Sequence, residues 1–204
     1  MRFGVEMTTV DRQSAKTRGR PRSEDSRRAI LDAAWQLMQQ HPVPAVTIEG
    51  VAKRAGVGKT TIYRWWPTRP ALLCDAFLEA IDADLEFKSS ASFAQTLRDQ
   101  FTTLARLMAG DVGRVVRELL AESAVDPQAQ QLFADRFIQP RRDAARRIIE
   151  EGIAAGEFRA DLDPAYAMDV LYGPIYFRLL VSCDPLDQAF IDQLPDTALR
   201  GLLA

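Results

Sequence analysis

The chain is poor in the residues from which most catalytic and metal sites are built. Of its 204 residues two are cysteines, Cys74 and Cys183, and one is a histidine, His41. The cysteines lie far apart without the close spacing of metal ligands, so no zinc site is expected, and both thiols are expected to be reduced and buried in a cytoplasmic protein. His41 stands alone in a loop before Pro42. No Ser-His-Asp, Cys-His or metal constellation is present, so an enzyme is not expected and no cofactor is implied. No run of about 18 apolar residues exists to span a membrane. The N-terminus is polar and basic and lacks the apolar core of a signal peptide. Val and Ile nowhere alternate with polar residues for long enough to make a strand. The run Gly-Val-Gly-Lys-Thr-Thr at 56–61 resembles half of a phosphate loop, but Lys53 stands where that motif needs glycine and no strand precedes it.

What remains is an ordinary globular composition, 47% apolar and 26% charged, on a chain long enough to bury a substantial core. The net charge of −2 hides a strong asymmetry. Up to Arg69 there are 13 Lys and Arg against 6 Asp and Glu; from Pro70 onward there are 13 against 22. A basic front and an acidic rear suit a polyanion-binding head on a body that polyanions do not attract.

The apolar residues repeat at helical spacing almost throughout, which predicts an all-α protein of about nine helices. Residues 1–22 lack that periodicity and are rich in Arg, Thr, Ser and Gly, so a disordered basic arm is expected there. Helix one is expected from about Ser23 to Gln40, with Ile30, Ala33, Ala34, Leu37 and Met38 on its buried face. Thr47 caps a short second helix that Gly56 closes; a third covers about Gly58 to Arg64, and Pro67-Thr68 starts a fourth. A Ser-rich joint at 88–92 leads into further helices. Pro140 is expected to kink or break the stretch from Asp126-Pro127 to about Ala155. The last two helices are expected at about Pro164 to Val181 and Leu186 to Leu203. Pro195 lies inside the last and removes one backbone hydrogen bond from it.

Residues 47–66, Thr-Ile-Glu-Gly-Val-Ala-Lys-Arg-Ala-Gly-Val-Gly-Lys-Thr-Thr-Ile-Tyr-Arg-Trp-Trp, carry the functional signal. A helix, a glycine turn and a second helix that opens with small polar and cationic residues make a helix-turn-helix, which lays its second helix in the DNA major groove. With the Ala-rich first helix and the following Pro-Thr-Arg-Pro-Ala-Leu-Leu, the segment from Ser26 to Phe77 resembles the DNA-binding domain of TetR/AcrR-type transcriptional regulators. The segments Gly-Glu-Phe-Arg-Ala-Asp-Leu-Asp-Pro and Gly-Pro-Ile-Tyr-Phe-Arg-Leu-Leu, between Gly156 and Leu180, are similar to the effector domain of one subgroup of that family.

The resemblance implies a homodimer, usually a repressor, with a DNA-binding domain at 23–69 and an effector-binding and dimerisation domain at 70–204. Its partners would be a palindromic operator, a second copy of itself through the last two helices, and a small-molecule effector. By family position Thr47 would cap helix two and reach a phosphate. Lys59 would contact a guanine edge, and Thr60 and Thr61 thymine methyls or phosphates. Tyr63 and Trp65 would donate to phosphates, with Trp66 turned inward; Arg69 would pair with another phosphate, and Arg64 is either a contact or a solvated charge. Arg18-Gly19-Arg20-Pro21 matches the core of an AT-hook, so Arg18, Arg20 and Arg22 are candidates for an A·T-rich minor groove. An effector pocket would draw on Phe101, Leu104, Met108, Phe137, Tyr172 and Tyr176. Glu118, Glu122 and the arginines at 141, 142, 146 and 147 read as solvated surface. An activator or ligand-independent regulator of the same fold, or an architectural minor-groove protein led by the arm, are the competing functions.

Overall fold

A computed structural model describes residues 20–204 of the chain, apart from the side chains of residues 20–23 and 83. All its regular elements are helical; the described residues hold no strand, only an isolated bridge between Phe158 and Leu203. The ten α-helical segments form nine rods, because α7 (Pro127–Phe133) runs through a π turn at Ala134–Ile138 directly into α8 (Gln139–Ala154). Pro140 has no N–H to give back one turn, and the backbone widens into a π turn just before it instead of breaking.

Helix α1 spans Arg20–Gln40 and so begins three residues before the expected Ser23. Pro21 falls in its first turn, where a missing N–H costs little. Of the arm motif, Arg18 and Gly19 lie outside the described residues, as do the side chains of Arg20 and Arg22. α1 packs on α2 (Ile48–Ala55) and α4 (Arg69–Ile81), burying Ile30, Ala34 and Met38 completely. α3 (Lys59–Trp65) sits against α2 and α1 through Ile62, also completely buried.

The rear part is built round α5 (Phe93–Ala109), which packs on α6 (Asp111–Ser123), α8, α9 (Pro164–Phe177) and α10 (Gln188–Arg200). Ser92 caps α5 by accepting from Gln95 N at 3.1 Å. The Glu157 carboxylate accepts from Phe93 N and Ala94 N at 2.9 and 2.8 Å, so the first turn of α5 is pinned to the end of α8. The α5–α6 turn needs a glycine at 113, where a Cβ would lie 1.9 Å from the Met108 carbonyl oxygen. Pro174 and Pro195 both lie inside helices, and a second π turn, Arg178–Ser182, follows α9.

The two parts share one core. Phe77 of α4 meets Trp35 of α1 at 6.2 Å on one side and Phe137 of the π turn at 5.2 Å on the other. Trp35, expected in the core, is half-buried against it. Cys74 is buried as expected, but Cys183 is exposed, because the chain leaves the π turn through a left-handed residue there (φ 56°) and turns into solvent.

Candidate nucleic-acid interface and ligand cavity

The helix-turn-helix forms through two local devices. The Thr47 hydroxyl accepts the Gly50 N–H at 3.0 Å and caps α2. Gly56 ends that helix in the left-handed conformation (φ 67°), donating its N–H back to the carbonyls of Ala52 and Lys53. Gly58 then opens α3, and Ile62 and Trp66 anchor it inward. The opposite side is left to solvent: Lys59, Thr60, Tyr63 and Arg64 are exposed and Thr61 is half-buried. The Lys59 ammonium meets the Glu49 carboxylate at 2.8 Å. That hydrogen bond, with the attraction of the opposite charges, raises the lysine above its ordinary range and lowers the glutamate below its own.

Two expected phosphate donors are placed elsewhere. Trp66 is inside, as expected, and its indole N–H donates to Asp75 Oδ2 at 2.8 Å. Trp65, expected outside, is half-buried against the core with its indole nitrogen enclosed and unpaired, so that N–H is not offered to DNA. Arg69 turns its guanidinium inward. Nε donates to the Val46 carbonyl at 2.5 Å, Nη2 to the Val43 carbonyl, and Nη1 pairs with Glu122 at 2.9 Å. Its donors are taken up in joining the short turn before α2 to helix α6.

The same helix corrects a second reading. Glu118 and Glu122 are not simply solvated: Glu118 accepts the Val43 N–H at 2.6 Å and pairs with Arg114 at 3.2 Å, while Arg114 also donates to the Met38 and Gln39 carbonyls at the end of α1. Helix α6 therefore holds the back of the DNA-binding head by side chains one turn apart.

In the rear part a cavity of about 470 Å³ opens between α5, α6, the π turn with α8, and α9. Four of the six expected residues line it: Leu104, Phe137, Tyr172 and Tyr176. Phe101 and Met108 do not. Phe101 is turned away from the Gln100–Leu104 face of α5 and meets the Tyr172 ring from behind at 5.8 Å; Met108 is buried beyond Leu104, where the α5–α6 turn closes. Sequence reasoning missed Gln100, Leu120, Ile138 and Met168 in the wall, and above all Arg141, Arg142 and Asp169. Arg141 and Arg142 belong to the run expected on an open face. Arg141 instead lies 4.5 Å over the Phe137 ring and donates to the Phe137 carbonyl at 3.0 Å and to Asp82 at 3.2 Å. Burial holds both phenols above their ordinary range, Tyr176 at about 12, so both keep their O–H. Tyr172 donates that proton to Gln100 Oε1 at 2.9 Å. Among the described residues no helix is long and apolar enough to cross a membrane, and no three His, Cys, Asp or Glu gather as a metal site would need.

With this geometry in hand, the chain can be set beside known proteins. Residues 30–75 match the family described as bacterial regulatory proteins, tetR family, and residues 89–198 match the tetracyclin repressor-like C-terminal domain. The HTH-type transcriptional regulator YdeS of Bacillus subtilis is 37% identical over 187 residues, covering 92% of this chain and 94% of that protein. The DNA-binding transcriptional repressor TetR of Mycobacteroides abscessus is 26% identical over 184 residues, covering 89% and 96%. Among solved structures, the TetR family transcription regulator SCO0332 superposes with a TM-score of 0.75 at 29% identity, covering 88% of this chain and all of that one.

Proposed function

The chain belongs to the tetR family of bacterial regulatory proteins, and we propose from that premise that it is a homodimeric repressor, released from a palindromic operator when a small molecule enters the cavity beside α9. That it is a helix-turn-helix transcriptional regulator, and no enzyme, follows from its relatives and its fold. Acting on DNA, it works in the cytoplasm.

The observation that carries the DNA reading is the outward face of α3. Lys59, Thr60, Tyr63 and Arg64 stand exposed on a helix whose other side is fixed in the core by Ile62 and Trp66. A rigid helix with cationic, hydroxyl and phenolic tips suits base edges and phosphates together. Thr47, exposed at the cap of α2, and the half-buried Thr61 are the flanking phosphate candidates. The Lys59–Glu49 pair is exposed, so exchanging the carboxylate for a phosphate costs little.

One short helix gives little specificity, and a dimer doubles it by reading two grooves about 34–36 Å apart. Exposed Tyr166, Val170, Phe177 and Val181 follow one another at spacings of four, seven and four along α9 and its π turn. They make a single apolar stripe that a second copy would cover.

Release would follow two routes out of the cavity wall. Leu120 lines the cavity from α6, whose Glu118 and Glu122 hold Val43 and Arg69 of the head. Phe137 lines it from the π turn, whose Arg136 pairs with the same Asp75 that accepts from Trp66 at the end of α3. A ligand that favours one arrangement of these walls moves α3 relative to its symmetry mate. A coupling of about 1–3 kcal/mol weakens operator binding ~5- to 150-fold. Selection of purified protein on random duplexes at two salt concentrations tests this. Enrichment of a palindrome with half-sites one helical turn apart is expected. Enrichment of A·T tracts without symmetry would give the binding to the N-terminal arm and end the repressor reading.

A further inference from the structure

We infer, building on the effector role given to this cavity, that its ligand is an apolar molecule carrying one carboxylate, and that Arg141 and Tyr176 receive that carboxylate. The polar groups in the wall are unusual in kind: they are donors left without acceptors. The Arg141 guanidinium spends Nη1 and Nη2 on the Phe137 carbonyl and on Asp82, but its Nε–H is buried and pairs with nothing. The Tyr176 side chain is buried, keeps its proton, and makes no hydrogen bond within the protein. Gln100 accepts from Tyr172 through Oε1, which leaves its amide N–H groups unused. A carboxylate is acceptor-only and can take several such donors at once.

The placement of charge favours the same ligand. Two carboxylates lie near, Asp82 beside Arg141 and Asp169 beside Arg142. Both are well exposed, at 80% and 65%, whereas the Arg141 side chain is only 18% exposed. Water screens the outer negative charges, and the interior of the cavity is left facing a poorly solvated cation. Burial also pulls the Arg141 guanidinium below its ordinary range, the mark of a charge whose surroundings do not fully replace water. The remaining wall, Leu104, Leu120, Phe137, Ile138 and Met168, is apolar and suits a hydrocarbon or aromatic body.

Isothermal calorimetry on the full-length protein tests the inference with two bodies, each bearing three heads: decanoate, decanol and decylamine, and 1-naphthaleneacetate with the corresponding naphthyl-ethanol and naphthyl-ethylamine. In at least one series the carboxylate should bind about ten- to a hundredfold more tightly than the alcohol, with the amine weakest. Arg141→Met should erase the preference of carboxylate over alcohol while leaving alcohol binding within about twofold. Loss of a merely structural residue would weaken both heads alike. Tyr176→Phe, which removes only an oxygen, should weaken the carboxylate about fivefold and provides the same test if Arg141→Met does not fold. Equal binding of carboxylate and alcohol, preference for the amine, no binding in either series, or an unchanged preference in both variants would overturn the inference. An alcohol or amine that binds best and releases the operator would leave the effector role standing and remove this ligand class. A carboxylate that binds as expected without releasing the operator would do the reverse.

Discussion

Replacing Arg69 by methionine separates two roles that its position allows. The family resemblance gives Arg69 a phosphate; the structure turns its guanidinium to the Val43 and Val46 carbonyls and to Glu122. Methionine keeps the aliphatic packing and leaves three acceptors without their donor. Each neutral carbonyl bond contributes about 1 kcal/mol net, and the charged one about the same here, because Arg69 and Glu122 keep 26% and 28% of their side-chain surfaces in water. The expected loss is therefore about 2–3 kcal/mol. For a chain of this length that lowers Tm by roughly 5–10 °C, read by circular dichroism at fixed protomer concentration. Glu122→Gln should cost less, and the double variant should lose less than the two single changes added together, because they share one interaction. The slope of operator affinity against salt should stay as in the parent, since no phosphate contact is removed. An unchanged Tm together with a salt slope reduced by about 0.9 would show that Arg69 serves DNA, and would refute its structural assignment.

Two further outcomes follow from side-chain placement. Iodoacetamide at pH 8 should label the exposed Cys183 in the folded protein and spare Cys74. Cys74 is buried, and burial pushes its thiol up to about 11, so it remains protonated and unreactive until the chain unfolds or the pH approaches that value; mass spectrometry of the peptides decides. Phe177→Asp with Val181→Asp should convert the dimer to a monomer by light scattering, with the helical content kept, because both side chains are already exposed in the protomer at 57% and 67%. A dimer that survives both changes would place the interface elsewhere.

Local features of the chain were legible before the structure. Thr47, Gly56, Ser92 and Asp163-Pro164 announce helix ends because capping is decided within three residues. The buried stripe of α1 and the inward turn of Ile62 and Trp66 follow from helical period. The failures share a cause: long side chains whose partners are distant in sequence. Arg69 reaches Glu122 across 53 residues and Glu118 reaches Val43 across 75. Nothing in the spacing of a helix distinguishes such a carboxylate from a solvated one. Arg141 reads as one of a run of surface arginines until the π turn brings Phe137 beneath it. A proline in sequence reports a missing N–H, but whether the chain breaks, kinks or widens depends on the helices around it. Of two adjacent tryptophans the inner one was identifiable, yet the enclosure of Trp65 depends on the core below. Within the cavity, Tyr172 and Tyr176 stand out as hydroxyl-bearing residues one turn apart, whereas Phe101 and Met108 have the right chemistry on the wrong side or beyond the end of α5.

The central claim is that α3 reads the operator, and the most direct measurement is affinity for the selected palindrome against a scrambled duplex, with Lys59, Thr60 and Tyr63 replaced by alanine. All three side chains are exposed, so the fold should be kept, with Tm within a few degrees of the parent. The account predicts that the preference for the palindrome collapses while weak, salt-sensitive binding to any duplex persists. A variant that still prefers its palindrome as strongly as the parent would contradict it.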